Sequence, residues 1–535
     1  MNILYIIYSI GFFLWIAKTV LFWTYLWQLK EYRIDRLLVH LKGTIQGKSI
    51  LLSPFLLINF LFIIGFTFVI LNEETTLGWF NILGGFFFII EGLYFISQII
   101  KNSFRRPTFT PKALIISLGS IFILSIIYSL PLTTPIAWLL LVQLLSPLIV
   151  AILVFTFSFP TELHKDYLIE KAKEKMRNQK NLLVIAVSGS YGKSSTKEYM
   201  AHILSKKFSV VKTHFSNNTP IAVAKTILSE LKNNTDILIV EIGSYKKGEV
   251  KELADIISPK ISVTTGISDQ HLALYGSMKN ILETEMELLE SLNKNGLALL
   301  NGNSLFIMPL FDKSKKKTQF YVSGETSVKV LKKDIGIFAN NIKSSKNGVQ
   351  FDAYVKQKKI SFETDLIGTH VVENILPGIY VGSLLGMTQK EIQNAVLTLQ
   401  PLQKTMKKIV LQQGIVVIDD TFNASPESVL SAALYASFYT KKKIFVLTPL
   451  IELGNKSREY HYKTGKALAH FDYLFLTNKN YKKEIELGIR DAKGKCSVIV
   501  DSSSRIATEI EKIAQKGDII ICEGKEAGNV LNQLI

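Results

Sequence analysis

Five long apolar runs precede residue 160 of this chain, and they constrain its fold more than any other feature. The runs cover residues 3–29, 49–71, 76–100, 113–132 and 134–158. Each is near or above the roughly 20 residues that a helix needs to cross a bilayer. The pattern therefore predicts an all-α transmembrane bundle of about five helices over residues 1–160.

The connections between these runs predict an orientation. Those after the first and third runs are basic, with Lys30, Arg33, Arg36, Lys42 and Lys48 in one and Lys101, Arg105, Arg106 and Lys112 in the other. The connections near residues 72–75 and 132–134 contain neither Lys nor Arg. The positive-inside rule then places the N-terminus outside and everything after residue 160 in the cytoplasm. No small-residue cleavage site follows the first run, so we expect it to be retained in a multi-pass protein of the cytoplasmic membrane.

Two ionisable residues, Lys18 and Glu91, lie inside apolar runs. Such groups are costly in a bilayer, so each suggests a role or a partner. One interpretation is that either residue binds a substrate or a lipid headgroup. The other is that each faces a neighbouring helix, or that Lys18 extends its amine to the bilayer surface.

The composition fits a membrane part joined to a cytoplasmic part. The chain is 48% hydrophobic, yet its formal net charge is +18. The basic residues are spread over juxtamembrane loops and Lys-rich turns without a recognisable nucleic-acid-reading module, so we expect no nucleic acid partner. The two cysteines, Cys496 and Cys522, lie in strand-like surroundings and are predicted to be free thiols. Residues 161–180 form a basic, helix-favouring juxtamembrane linker, either a solvated connector or a helix lying against anionic lipid.

From Asn181 onward, short β-branched runs alternate with helical patterns. This alternation predicts α/β layering around a mostly parallel sheet. A more polar, β-rich stretch is expected at 316–366, a helical region at 370–400, and a second α/β pattern from Ile409. The predicted domains are a central ATP-binding domain at 181–403 and a Rossmann-like C-terminal domain at 404–535.

A glycine loop follows the first of these strand-like runs. Residues 184–187 lead into Gly189-Ser-Tyr-Gly192-Lys193-Ser194 and then into a helical pattern. The order strand, loop, helix directs backbone N–H groups at an anion. Val187 replaces the first glycine of the pattern G-x-x-x-x-G-K-[ST], so the match is to a shortened form. A phosphate site is predicted from its six polar or glycine positions, Gly189, Ser190, Gly192, Lys193, Ser194 and Ser195.

Six further segments carry polar motifs in a fixed order. They are His214–Asn218, Glu241–Ser244, Asp269–Ser277, Gly368–Asn374, Asp419–Ser428, and Glu452–Gly454 followed by His461. With the glycine loop they resemble the Mur ligases, the ATP-dependent amide-bond ligases of peptidoglycan precursor synthesis. The likeness is greatest to the D-alanyl-D-alanine-adding members of that family and covers about 350 residues.

The resemblance implies a membrane-anchored ligase that uses ATP and Mg²⁺. It would activate a substrate carboxylate as an acyl phosphate and join it to an amino acid or to a dipeptide such as D-alanyl-D-alanine. It also implies a role for each matched residue: Lys193 on the phosphates, Ser194 and Glu241 on one Mg²⁺, His271 on a second, Asn374 on adenine, Asp420 on ribose, and Asn217, Asn218 and Asn423 on substrate. Asn217 and Asn218 could instead hold a turn.

The chain departs from the family pattern at several positions. Glu285 stands where the family has a carbamylated lysine that bridges the metals, and we expect its carboxylate to serve as a Mg²⁺ ligand instead. Tyr191 and Gly266 each replace a usual asparagine. The segment ending at Thr405 lacks the family's arginine, and Glu523 begins a triplet that replaces K-G-S.

The membrane segment replaces the family's UDP-binding first domain. The acceptor is accordingly expected to be a peptide precursor linked either to UDP or to a lipid. The alternative for the membrane segment is that its helices only localise the enzyme. Alternatives are another Mur-type ligase, such as a poly-γ-glutamate synthetase, and a non-catalytic nucleotide-binding scaffold that recruits other cell-wall enzymes.

Overall fold

A computed structural model describes residues 3–43, 47, 50, 76–101, 104–129, 135–244, 246–268, 272–314, 316–325 and 332–535. The chain divides into two compact units, Met1–Asp166 and Tyr167–Ile535. Apart from Ile50, the second apolar run lies outside the described residues, as do the connections that lack basic residues.

The first unit is helical throughout its described segments. Its helices are Ile3–Leu29, Ile34–Gly43, Thr76–Ile100, Pro111–Ser129 and Pro135–Thr156, and a further helix, Ser158–Arg177, begins in it. Four of the five apolar runs are therefore confirmed as helices. Within the described residues, the stretches Ser9–Leu29 and Leu145–Arg177 are long and apolar enough to cross a membrane by length and composition. The multi-pass bundle stays a prediction.

Lys18 and Glu91 are paired with each other inside this unit. Lys18 Nζ lies 2.7 Å from Glu91 Oε2, and the glutamate is buried. The ammonium also lies 4.7 Å from the ring centroid of Tyr94. The structure thus agrees with the expectation that these groups face a neighbouring helix.

The described residues of the second unit form two sheets. The first has nine strands, namely β1 Leu183–Ser188, β2 Val210–Lys212, β3 Ile237–Glu241, β4 Ile261–Thr264, β5 Leu297–Asn301, β6 Lys317–Ser323, β7 Ile335–Ser345, β8 Gly348–Val355 and β9 Lys358–Thr364. Their order is β2-β3-β1-β4-β5-β6-β7-β8-β9. Pairing is parallel from β2 to β7 and antiparallel from β7 to β9. Both the mostly parallel sheet and the β-rich stretch at 316–366 are confirmed.

Helices cover both faces of this sheet. They are Lys193–Leu204, Pro220–Glu230, Glu249–Ile257, Leu272–Tyr275, Met278–Glu290, Met308–Lys313, Val371–Leu384 and Gln389–Leu397. One hydrophobic core joins Met200 of the first helix, Ile375 and Ile379 of the helix Val371–Leu384, and Phe351 of β8. The antiparallel strands are therefore part of the same packed body as the glycine loop.

The second sheet forms the C-terminal domain. Its strands are β10 Lys407–Val410, β11 Val416–Asp420, β12 Lys443–Leu447, β13 Tyr473–Leu476, β14 Ser497–Val500 and β15 Ile519–Glu523, in the order β10-β11-β15-β12-β13-β14. Only the edge pairing β10–β11 is antiparallel. The helices Pro426–Ala436, Ser457–Ala467, Lys482–Asp491, Ser503–Ile513 and Ala527–Leu534 complete a Rossmann-like layer arrangement. Asp420 and Glu523 are register partners at the carboxyl ends of β11 and β15.

The juxtamembrane linker is helical and largely exposed, but part of it also packs onto the central domain. From Tyr167 its helix belongs to the second unit, where Ala172 is fully buried in a cluster with Val184. Lys175 Nζ donates a hydrogen bond to Leu228 O at 3.0 Å. The apolar residues of the linker, which its high charge conceals in the sequence, thus pack onto the central domain.

Both cysteines are free thiols, as predicted. Cys522 is buried and Cys496 is half-buried. Burial raises the pKa of the Cys496 thiol to about 12 and also raises the pKa of Cys522. These sulfurs are accordingly protonated and unreactive at neutral pH.

Candidate functional site

The glycine loop is fixed against the end of β4. Gly189 has a left-handed φ of +126°, and a Cβ there would lie 2.2 Å from Thr265 Oγ1, so only glycine fits. Ser190 N donates a hydrogen bond to Gly266 O at 2.7 Å. Thr265 Oγ1 donates to Ser188 O at 2.9 Å. These contacts fix the loop at the start of the helix Lys193–Leu204.

Lys193 spans this loop. Its Nζ donates to Gly189 O at 2.6 Å and to Ser190 O at 3.2 Å. Burial lowers the pKa of Lys193, whereas the nearby charges of Glu241 and Glu285 act to raise it. The structure thus brings together the lysine and the two glutamates that the sequence singled out.

Glu241 is the last residue of β3 and is 1% exposed. Its Oε1 accepts a hydrogen bond from Asn218 Nδ2 at 3.0 Å, and its backbone N–H donates to Thr213 Oγ1 at 3.0 Å. Within the described part of the chain, Oε2 accepts no hydrogen bond. Asn218, predicted to bind substrate, therefore orients this carboxylate here.

Glu285 approaches the loop from the helix Met278–Glu290. Burial raises the pKa of its carboxylate, whereas the nearby Ser188, Lys193 and Gly189 act to lower it. Its Oε2 has no hydrogen-bond partner among the described residues. A buried carboxylate oxygen without a partner is costly unless something else compensates it.

These donors fit a Mg²⁺ ion beside a phosphate. Glu241 and Glu285 each place a buried carboxylate oxygen that accepts no hydrogen bond from the described residues next to the loop, and hard oxygen ligands are what Mg²⁺ takes. Ser194 is the second residue of the helix that the loop begins. His271, predicted as a ligand of a second ion, lies outside the described residues.

Asn374 and Asp420 lie in different parts of the second unit. Asn374 Oδ1 accepts a hydrogen bond from Thr196 Oγ1 at 3.2 Å, which ties the helix Val371–Leu384 to the helix that follows the loop. Asp420 Oδ1 accepts from Met406 N at 3.2 Å. Burial raises the pKa values of both Asp420 and Glu523, and the neighbouring Asp420 carboxylate raises that of Glu523 further. Ser428 Oγ donates to Glu523 Oε1.

The remaining predicted substrate residues are more exposed. Asn217 lies in a turn in which its N–H donates to His214 O at 2.9 Å. It also lines a surface cleft of about 360 Å³ with Lys225 and Glu230. Asn423 is exposed.

His461 is instead a buried structural residue. Its Nε2 accepts a hydrogen bond from Leu450 N at 3.0 Å, and its Nδ1 contacts Ser457 O at 2.6 Å.

Two departures from the family pattern, Tyr191 and Gly266, turn out to be one feature. The Tyr191 ring lies directly over Gly266, where a Cβ would come within 1.8 Å of the ring carbon Cζ. The two residues also form an isolated β-bridge. The two replacements are therefore linked, because the Tyr191 ring can occupy this place only when the residue beneath it has no side chain.

We expect Gly266→Ala to destabilise the protein by about 1–3 kcal/mol because the new methyl group overlaps the ring. Adding Tyr191→Ala should recover most of this loss, so that the two changes are strongly non-additive. Thermal unfolding of the two single variants and the double variant measures this coupling. Gly528→Ala is the control, since a Cβ there would meet its nearest neighbour at an ordinary 3.4 Å. Equal losses in G266A and the double variant would contradict the pairing.

Two protein-family models match the second unit of the chain. The Mur ligase middle domain matches residues 187–382, and the glutamate ligase domain of Mur ligases matches residues 406–526. Together they span well over half of the chain. The chain belongs to the Mur ligase family. Members of this family are ATP-dependent ligases that use ATP with Mg²⁺.

Relatives of this Mur ligase include two curated proteins named UDP-N-acetylmuramoyl-tripeptide–D-alanyl-D-alanine ligase. The one from Synechocystis is 27% identical over 366 residues, which are 67% of this chain and 76% of the relative. The one from Bacillus subtilis is 25% identical over 358 residues, which are 62% of this chain and 75% of the relative.

Solved MurF structures share the fold of this Mur ligase. The enzyme from Acinetobacter baumannii gives a TM-score of 0.62 at 20% identity, covering 69% of this chain and 80% of that one. The one from Thermotoga maritima, in complex with ADP, gives a TM-score of 0.60 at 22% identity. It covers 69% of this chain and 83% of the Thermotoga chain.

Sequence reasoning missed one charged residue of the Mur ligase site. Lys197 is completely buried, and its Nζ lies 3.4 Å from Glu241 Oε2. The available signal was its spacing, because residues four apart lie on the same face of a helix and Lys193 already faces the site.

Proposed function

We propose that this Mur ligase joins a peptide carboxylate to the amine of D-alanyl-D-alanine, by way of an acyl phosphate made from ATP. The names of the curated relatives support this substrate. The observation that carries the proposal is the convergence of Lys193, Glu241 and Glu285 on one glycine loop.

Each residue has a defined part in the proposed reaction. The loop N–H groups and Lys193 hold the phosphates and balance the charge that develops on the transferring phosphoryl group. Glu241, Glu285 and Ser194 would hold Mg²⁺, which supplies further positive charge to the phosphoryl oxygens. The activated carboxylate is then attacked by the amine, and phosphate leaves.

We also propose that the N-terminal helices anchor the enzyme in the cytoplasmic membrane and that its acceptor is presented there. The pairing of Lys18 with Glu91 supports this, because polar groups in a bilayer are stable when they satisfy each other. The described helices with enough apolar length support it as well.

The test is phosphate release by the purified full-length protein with Mg-ATP and D-alanyl-D-alanine. UDP-linked and lipid-linked muramoyl tripeptide are supplied in separate reactions, and products are identified by mass spectrometry. We expect turnover only when acceptor and dipeptide are both present, and the productive carrier reveals where the acceptor is presented. Tight ATP binding without turnover on either carrier would overturn the proposal and favour another ligase substrate or a scaffold.

A further inference from the structure

Lys197 occupies an unusual place for a lysine. It lies one turn after Lys193 and is 0% exposed. Its ammonium lies 3.3 Å from Glu198 Oε1 and 3.4 Å from Glu241 Oε2. Burying an ammonium is costly, and these contacts offset the cost only if their geometry is maintained.

The same ammonium holds the segment His214–Asn218. Its third contact is a hydrogen bond donated to Phe215 O. Phe215 is 72% exposed and has a left-handed φ of +45°, which a bulky residue rarely adopts. A strained backbone persists where surrounding contacts over-determine it, and the Lys197 contact is one of these.

The segment and the carboxylate are also joined at a second point. Asn218 Nδ2 donates to Glu241 Oε1, whereas Lys197 faces Oε2. Both oxygens of Glu241 are thus oriented, one by Asn218 and the other by the ammonium that also holds Phe215.

We propose that Lys197 is a positioning residue that fixes the Glu241 carboxylate for Mg²⁺ and couples its orientation to the segment His214–Asn218. The proposal rests on the proposed function in one respect, that Glu241 is a Mg²⁺ ligand. Lys197 acts through Glu241, since a ligand must be held to within a fraction of an ångström to bind its metal well.

The test compares Lys197→Met with the wild type by thermal unfolding of the full-length protein. Unfolding is measured without ligand, with ATP and EDTA, and with ATP and Mg²⁺. The shift in unfolding temperature that ATP causes in the presence of EDTA reports ATP binding at the glycine loop. This shift should be the same in the variant and the wild type. The additional shift in unfolding temperature on adding Mg²⁺ should fall to less than about half of its wild-type size. The free Mg²⁺ concentration that gives half of this shift should rise about 10-fold, as when orienting contacts are lost at metal sites.

Three further variants complete the experiment. Lys197→Arg keeps the charge and should recover most of the Mg²⁺-dependent shift. Lys212→Met removes an outer lysine that contacts Glu198, and it should behave like the wild type. If Lys197→Met does not fold, Lys197→Gln replaces it, because its amide can still donate to Phe215 O, and the same loss is expected.

Two results would overturn the proposal. One is a lower unfolding temperature in all three conditions with an intact Mg²⁺-dependent shift, which indicates a purely structural lysine. The other is wild-type behaviour of Lys197→Met. Because the shifts need no acceptor, they are independent of whether D-alanyl-D-alanine is the substrate.

Discussion

Lys193→Ala is expected to reduce ligase turnover by at least about 1,000-fold while leaving the protein folded. Its ammonium contacts the loop directly, and charge stabilisation of the transferring group is a large part of such catalysis. Stability should change little, because the deletion also removes the cost of burying the amine. Phosphate release and thermal unfolding measure the two effects.

The matched control is Lys206→Ala, an exposed lysine just beyond the same helix. It should retain wild-type turnover. Ligase activity in Lys193→Ala within tenfold of the wild type would refute the assignment of the loop.

Glu285→Gln is expected to have the second largest effect. The amide keeps the size of the side chain but loses the charge of a proposed Mg²⁺ ligand, so kcat should fall by about 100-fold or more. Because the proposed ligand is a carboxylate and needs no carbamate, we expect wild-type activity not to change when CO₂ and bicarbonate are removed. Both are measured by phosphate release, the second in degassed buffer with and without added bicarbonate.

Glu290→Gln, at an exposed position of the same helix, serves as the control and should retain wild-type turnover. Full activity of Glu285→Gln would exclude the carboxylate from the metal site. Stimulation of the wild type by bicarbonate would indicate that a carbamylated lysine elsewhere performs this role.

The architecture could be predicted largely from the sequence because its signals are local. Apolar length predicted four of the described helices before residue 160 but not the helix Ile34–Gly43, which lies in the first basic connection. The β-branched runs predicted the strands from Leu183 onward. The edge strand β10 and the three-residue strand β2 were missed, since such short segments carry little periodicity. The packing of the linker through Ala172 was missed because most of its neighbours in sequence are charged.

The site was predicted in part. Motif order located Lys193, Glu241 and Glu285, and the structure brings all three together. The partnership of Tyr191 with Gly266 could not be predicted, because the two residues are far apart in sequence and meet only through the end of β4. The burial of Lys197 was equally hidden, since a lysine on a helix is ordinarily solvated.

The continuity of the nine-stranded sheet has a consequence for biosynthesis. The glycine loop is translated early, but the helix that follows it shares its core with β8 and with the helix Val371–Leu384. Contacts so distant in sequence form only after the later segment has left the ribosome. We therefore expect nascent chains that stop before about residue 384 to leave the early strands exposed to aggregation and to chaperones.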